Sequence, residues 1–514
     1  MSSDFQRSGG IFARSARLPT ILLAVAGVAA GFYLAGPATG PRTEPRPETT
    51  GITAAQSNST SDSAQPAKLP AEDLVEGVSP ADRGSRVLAP QLHRFPLTAA
   101  DIKDTQGAPD IAVDEDGRVH LVWASITGES EQSVLIANSS AGLEGLSSPE
   151  TVVRSTIAFR SQGNGKKGYP IRIAPHIAAQ GKSVYLTWSG AVSDNSTVNM
   201  VLVNSTDGCA TFSKALCVHE HPQARPTFTG MAIGLQGQIA CSWLDGRAKN
   251  QHPYAAVRPA GQSEFLPEFK LPGGEDDKGV CPCCPTAAAF APDGTLFVGF
   301  RNLVDGYRDL AIVRLRPSDH QFGDHQFEGP FTVAPPTWEF DGCPHDGPSL
   351  VVLNGQLHVA WMDAHTGAQR VYYGRASLAD MQFEVQALHP TGLGTQGNPR
   401  LYADIQGGLH AVWEESLANE PAADVQAGHQ HGPAAIGSGR GIRHALAAPG
   451  ADDFADAQFM HSVAATYQTR PAITGDAQGQ IYVAWCELNQ EGKSIVVTSV
   501  AGKGAPKLTQ RHTR

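Results

Sequence analysis

One phrase recurs seven times along this 514-residue chain: a proline, a short apolar run, a turn glycine, and a β-rich stretch that closes on an aromatic residue. The anchors are Pro109/Gly117/Trp123, Pro175/Gly181/Trp188, Pro226/Gly237/Trp243, Pro285/Gly294/Phe300, Pro348/Gly355/Trp361, Pro399/Gly407/Trp413 and Pro471/Gly479/Trp485. The aromatic stands six residues after the glycine in every copy but the second, where it stands seven after. A register this regular is imposed by architecture. IAVDEDGRVHLVW, FAPDGTLFVGF and ITGDAQGQIYVAW carry β-rich runs on both sides of a tight Asp-Gly or Gln-Gly turn, so each copy reads as an antiparallel hairpin. Successive prolines lie 51 to 72 residues apart, which leaves room for two more strands per copy. SVLIANS, NMVLVNS, DLAIVRL, RVYYGRA and SIVVTSV are candidates for the third strand. Four strands per copy, repeated radially, predict an all-β fold, a β-propeller of seven four-stranded blades. A β-helix needs a far shorter period, and a sandwich would not repeat an aromatic in fixed register.

Hydrophobic residues make up 41% of the chain and charged residues 17%, with 54 Gly and 36 Pro, the balance of a turn-rich β protein. A formal net charge of −11 without any basic run argues against a nucleic-acid partner, because no phosphate footprint is present.

Ahead of the repeats the chain changes character. Residues 1–17 carry Arg7, Arg14 and Arg17, and 18–36 form an uncharged apolar segment long enough to span a bilayer. This order reads as a cytoplasmic basic end followed by a transmembrane signal anchor or a signal peptide. Residues 37–84 are rich in Pro, Ser, Thr and Glu, which cannot bury enough apolar surface to offset ordering entropy, and read as a disordered linker. The propeller then spans 85–514 and is expected to be extracytoplasmic, periplasmic or on the cell surface, and held to the membrane through its N-terminal segment.

In the second repeat, Ser205-Thr206-Asp207-Gly208-Cys209-Ala210-Thr211-Phe212 resembles the Asp-box, S-x-D-x-G-x-T-W/F, of the sialidase/BNR-repeat propellers. The resemblance covers the repeat region and implies a sialidase-like β-propeller in which the box is a folding turn, on the face opposite the ligand site. It also implies an exo-α-sialidase-like glycosidase as the activity to consider. Sialidases have six blades and an arginine in an F/Y-R-I-P motif. Here there are seven repeats, the nearest match is Tyr169-Pro170-Ile171-Arg172-Ile173-Ala174-Pro175, and no tyrosine–glutamate nucleophile pair is legible. Seven-bladed relatives with such boxes include assembly factors that bind proteins.

In a four-stranded blade, the residues around each anchor proline and those just after each closing aromatic open on one face, around the central funnel. The first group includes Asp110, His176, Asp346 and the second Glu414 and Glu487. Arg225, Arg247, Arg301, Arg400 and Arg470 gather at these positions and form a candidate ligand site for a carboxylate, which guanidinium groups bind bidentately. Asp245, Glu415 and Asp363 stand among them as candidate catalytic acids or bases. Adjacent Arg and Asp residues pairing merely to hold the funnel together is the competing reading.

The cysteines offer a second candidate site. Cys281-Pro282-Cys283-Cys284 precedes Pro285, and Cys343-Pro344-His345-Asp346 precedes Pro348, so Cys283, Cys284, Cys343 and His345 are expected to converge at the funnel mouth of neighbouring blades. Thiolates with an imidazole suit copper or zinc. Disulfides are the alternative in an exported protein, with Cys209 and Cys217 stapling a turn. His219 and His221 form an H-x-H pair near the rim, a further metal candidate. Two functions follow: a propeller binding an acidic sugar, small-molecule or glycan ligand, as a glycoside hydrolase if the carboxylates act, or a non-catalytic binding and assembly propeller with a protein partner.

Overall fold

The seven hairpins are the inner halves of seven sheets in a computed structural model, which describes residues 91–97, 108–126, 131–156, 158–161, 167–171, 174–191, 198–275, 278–317, 327–335, 337–342, 344–392, 394–417, 439–455, 457–461, 463 and 466–501. The basic end, apolar segment and linker expected over 1–84 lie outside the described residues, as do Arg172 and Cys343.

Each sheet has four antiparallel strands in sequence order. Blade 1 comprises Asp110–Val113, Val119–Ile126, Glu131–Asn138 and Glu150–Thr156, and blade 2 His176–Gln180, Ser183–Ala191, Val198–Ser205 and Leu216–Cys217. Blade 3 comprises Pro226–Ile233, Ile239–Asp245, His252–Arg258 and Phe269–Lys270, and blade 4 Ala287–Phe290, Leu296–Arg301, Leu310–Leu315 and Phe327–Thr332. Blade 5 comprises Ser349–Leu353, Gln356–Asp363, Arg370–Ser377 and Glu384–Ala387, and blade 6 Gln396–Ala403, Leu409–Glu415, Gly441–Ala447 and Gln458–Phe459. Blade 7 takes Tyr467–Gly475, Gln480–Asn489 and Gly492–Ala501 from the end of the chain and His93–Pro96 from ahead of blade 1. A two-stranded hairpin, Ala158–Ser161 with Lys167–Ile171, is inserted between blades 1 and 2.

The shared blade closes the ring. His93 pairs with Val497 and Pro96 with Ser494, and Arg94 places its guanidinium on Glu487 at 3.1 Å, one blade strand across. First strands of successive blades touch all the way round, blade 7 meeting blade 1.

Each sheet is buried on both faces between its neighbours, which is why second strands read as near-continuous apolar runs rather than alternating ones. All seven residues of Ile239–Asp245 and all six of Leu296–Arg301 are buried. Ile111, Val119, Leu121 and Trp123 of blade 1 share one core cluster with Ala472, Tyr482, Ala484 and Val497 of blade 7. The closing aromatics sit at matching positions in the second strands, all at 5% exposure or less, and are the largest contributors to these interfaces. Two of them stack on a tyrosine of the third strand: Trp243 on Tyr254 at 6.1 Å and Trp361 on Tyr372 at 5.9 Å.

The hairpin turns share a local lock. In blade 6, Asp404 Oδ1 accepts from the Gln406 and Gly408 amides, both at 2.8 Å, while Oδ2 lies 3.1 Å from His410 Nε2. Blade 1 repeats it with Asp114, the amides of Asp116 and Arg118, and His120, and blade 7 with Asp476, the amides of Gln478 and Gln480, and the Tyr482 hydroxyl. Gly407, at φ 84°, supplies the left-handed residue such a turn requires.

The segment from Ser205 joins the third and fourth strands of blade 2. Ser205 Oγ accepts from the Cys209 amide at 2.9 Å, and Asp207 accepts from the Thr211 amide and hydroxyl at 3.0 and 2.6 Å. These bonds hold the Asp207 carboxyl down at about 2, the Thr211 hydroxyl acting most strongly.

Candidate functional site

The funnel face lies at the opposite end of the inner strands from the hairpin turns. In blades 3, 6 and 7 the first strand bulges opposite the closing tryptophan, with register shifts at Thr227/Gly230, Gly397/Arg400 and Thr469/Ala472. The bulge puts Phe228, Asn398 and Arg470 at φ 53°, 48° and 55°, a conformation that re-aims their side chains.

Neighbouring blades are laced through these positions. Asp346 Oδ2 accepts from the Asn398 amide at 2.6 Å, and Glu414 Oε1 accepts from the Arg470 amide at 2.6 Å and from Asn398 Nδ2 at 2.6 Å. On the other side of the ring Asp110 Oδ2 accepts from the Ile177 amide at 3.0 Å and lies 3.5 Å from His176 Nδ1, whose Nε2 lies 3.1 Å from Thr229 Oγ1. The polar belt thus crosses blades 1, 2 and 3 on one side and 5, 6 and 7 on the other.

The five arginines separate into two kinds. Arg247 is locked, with Nη2 on Asp245 at 2.7 Å, Nη1 on Glu268 at 2.8 Å and its guanidinium 4.3 Å from the Tyr254 ring centre. Arg301 is fully buried and donates to the carbonyls of Asp346, Arg308 and Met362, pinning blade 4 to blade 5. Neither is free to grip a ligand. Arg225, Arg400 and Arg470 keep guanidiniums that meet no carboxylate among the described residues; Arg400 Nη1 reaches only the Pro399 carbonyl at 2.8 Å. Arg225 is exposed ahead of blade 3, where its amide donates to Asp245 at 3.2 Å. Arg400 is half-buried, and burial pushes its guanidinium below the usual range against the pull of Asp346, Asp110 and Glu414, with Arg470 adding to the depression.

The carboxylates named from sequence behave differently from that expectation. Asp245 accepts from Trp243 Nε1 at 2.8 Å, from Arg247 Nη2, and from two backbone amides, so both oxygens are saturated. Glu415 repeats the arrangement with Trp413 Nε1 at 3.0 Å, His389 Nδ1 at 2.9 Å, Gln396 Nε2 at 3.1 Å and Arg443 Nη2 at 3.4 Å. Burial raises both, yet these donors hold both below the usual carboxylate range. Asp363 accepts from the His365 amide at 2.8 Å and lies 3.1 Å from its Nδ1. All three side chains brace blade edges.

The carboxyl left open is Asp346. It is 3% exposed, its Oδ1 is buried without a hydrogen-bond partner, and burial pushes it up to about 6 despite the Asn398 amide and the nearby Arg301 and Arg400. Asn398, which presents a second donor between Asp346 and Glu414, has no counterpart in a charge pattern and was not legible as a site residue.

The cysteine cluster forms with different membership. Cys281, Cys283 and Cys284 come together, all buried, with Cys281 Sγ 3.8 Å from Cys283 Sγ, 3.6 Å from Cys284 Sγ and accepting from Arg308 Nη1 at 3.2 Å. These thiol donors and the guanidiniums of Arg308 and Arg301 lower Cys281 far below the usual thiol range, while burial raises Cys284. His345 is half-buried at φ 55° and does not join the three-sulfur group. No disulfide joins Cys209 and Cys217, so the expected staple is absent: Cys209 Sγ is buried 3.4 Å from His120 Nδ1, and Cys217 Sγ bonds the His219 carbonyl at 3.2 Å. His219 and His221 do not converge either, because His219 is buried against Trp243 while His221 is exposed.

A cavity of 340 Å³ lies at the turn end, between the hairpins of blades 1, 6 and 7. Three of its acids, Asp114, Asp404 and Asp476, are those already tied into the turn locks.

No protein-family model and no curated protein matches the chain. Among solved structures, the polysaccharide lyase Uly1 is matched at 12% identity and a TM-score of 0.46, over 80% of this chain and 97% of that one. An α-L-arabinanase from Penicillium chrysogenum is matched at 12% identity and 0.42, over 81% and 100%. The NanB sialidase from Streptococcus pneumoniae is matched at 10% identity and 0.41, over 81% and 69%. Likeness this distant says nothing of activity. By its own strand order the chain is a seven-bladed β-propeller, and its likeness to the sialidase, arabinanase and lyase structures is one of β-propeller fold alone.

Proposed function

We propose that this propeller binds an acidic sugar, or another carboxylated ligand, at its axial funnel, with Arg400 and Arg470 gripping the carboxylate and Asn398 and Asp346 as hydrogen-bond partners beside them. The observation that carries the reading is Arg400: a half-buried guanidinium with no carboxylate partner among the described residues, in a protein where Arg247 is held by two carboxylates and Arg301 by backbone carbonyls. A desolvated cation without a partner is costly, and an incoming carboxylate accepting two hydrogen bonds offsets that cost. Asp346, pushed up to about 6 by burial, donates to a sugar oxygen below that pH and accepts from a sugar hydroxyl above it. The apolar segment at 18–36 behind a basic end, a signal anchor or a signal peptide, supports a site of action outside the cytoplasmic membrane.

Binding is favoured over hydrolysis. A glycosidase needs two carboxyl groups free to flank one bond. Asp245 and Glu415 have both oxygens saturated and Asp363 is tied to His365, so the carboxylates two residues after the closing tryptophans do not supply that pair.

Calorimetric titration with a sialic acid, a hexuronic acid and their neutral parent sugars tests this. Carboxylated sugars should bind and neutral ones should not, and Arg400→Ala or Arg470→Ala should each weaken binding about tenfold or more, the loss of one charge-assisted pair. Equal binding of neutral sugars, or unchanged affinity in Arg400→Ala, overturns the reading. Turnover of aryl glycosides abolished by Asp346→Asn would restore the hydrolase.

A further inference from the structure

The Cys281-Pro282-Cys283-Cys284 segment leads into the first strand of blade 4 and is clamped by its own backbone. Val280 N donates to the Gln251 carbonyl at 2.9 Å and Cys281 N to the Arg301 carbonyl at 3.2 Å. Close approaches fix it further: a methyl at Gly279 would stand 2.2 Å from the Gln251 carbonyl oxygen, and one at Gly347 2.2 Å from that of Pro285. The second contact joins the segment to the corresponding stretch ahead of blade 5. The three thiols are therefore positioned by the fold before anything binds.

Their spacing is informative. The sulfurs of Cys281, Cys283 and Cys284 all lie within 4.8 Å of one another, two of the separations being 3.8 and 3.6 Å. Sulfurs ligating one ion at about 2.3 Å stand about 3.8–4.0 Å apart, from trigonal or tetrahedral geometry. A disulfide would unite two of the three and strand the last. Three soft donors also select for a soft ion.

We propose that Cys281, Cys283 and Cys284 form a three-thiolate site for one thiophilic d10 ion, Cu(I). The three described donors are all thiol sulfurs, the soft ligands that suit Cu(I). Three thiolates around a monovalent ion leave two negative charges, and two guanidiniums stand beside them: Arg308, on Cys281 Sγ at 3.2 Å, and Arg301, whose field is shaped by Cys284 and Cys281. Uptake forms three Cu–S bonds, releases whatever protons the thiols hold and transfers no electron.

The test uses the full chain, reduced, stripped of metal and kept anaerobic, titrated with Cu(I) against a chromogenic Cu(I) chelator and separately with Zn(II). One equivalent of Cu(I) should be withheld from the chelator, and X-ray absorption should show three sulfurs at about 2.3 Å. Cys284→Ser should lose this retention with an unchanged near-ultraviolet tryptophan signal, whereas Cys241→Ser, a buried thiol of blade 3, should keep it. If Cys284→Ser misfolds, the absorption spectrum of the unaltered protein decides alone. Failure to withhold Cu(I), preferential retention of Zn(II) in a four-ligand shell, or loss of two thiols to a disulfide on exposure to air with no metal uptake each overturns the proposal.

Discussion

The two ends of the inner strands treat their polar groups differently. At the turn end, Asp114, Asp404 and Asp476 each find partners within six residues of themselves, two backbone amides and a His or Tyr, and nothing is left over. At the funnel end Asp110, Asp346 and Glu414 each reach a backbone amide of another blade, and the accounting stays open at the Arg400 and Arg470 guanidiniums and at Asp346 Oδ1. Local bonding builds the blade; the residue of unsatisfied groups across blades is where a ligand finds purchase. Substitutions at the first end should therefore move stability and those at the second binding.

The largest effect should come from the scaffold common to both ends. Trp413→Ala, at 0% exposure and hydrogen-bonded to Glu415, should cost about 3–5 kcal/mol in denaturant unfolding, the usual result of truncating a buried aromatic. A loss below about 1 kcal/mol would mean the blade interface closes around the gap.

Asp476→Ala comes next, at the turn end. It removes the acceptor for two amides and for the Tyr482 hydroxyl and should cost about 1–3 kcal/mol while leaving ligand affinity unchanged. A change in affinity would break the division between the two ends.

Asp346 tests the funnel end through pH. Its carboxyl, held up at about 6 by burial, binds protons more tightly in the folded chain than in the unfolded one, where it titrates near 3.9. The folded state therefore holds more protons between these values, and stability contributed by the neutral acid is lost as pH rises from about 4 through about 6. Asp346→Asn should flatten that decline and stabilise the protein at pH 7 by about 1–3 kcal/mol, because an amide keeps the acceptor for the Asn398 amide without the buried charge. An unchanged pH profile in unfolding would show that Asp346 is already solvated.

The smallest expected effect is at the ring closure. Arg94, 37% exposed, pairs with the fully buried Glu487, which Gln468 also bonds at 3.3 Å, so Arg94→Ala should cost about 1 kcal/mol or less. A larger loss would show that the N-terminal strand is held by this pair rather than by its ladder.

The seven sheets were legible from sequence because a turn glycine and an aromatic six residues on are partners within one hairpin. The carboxylates misled for a related reason. Asp245, Asp363, Glu415 and Glu487 each stand two residues after a closing Trp, hence on the same strand face, and in blades 3 and 6 they take the indole N–H. That W-x-D/E spacing was a signal for a brace and went unused, since rim position alone suggested chemistry. Arg400 and Arg247 likewise look alike in sequence. Only the arrival of Glu268 from the fourth strand of blade 3 beside Arg247, and of no such group beside Arg400, separates them.

Period, blade number and closing aromatics were determined by the chain's own pattern, because the contacts behind them are short in sequence and repeat identically. Which arginines are locked and how far burial pushes the Asp346 carboxyl up were decided by tertiary structure alone, because each depends on the meeting of segments 21 and 52 residues apart, Arg247 with Glu268 and Asp346 with Asn398, and on how much water that meeting excludes.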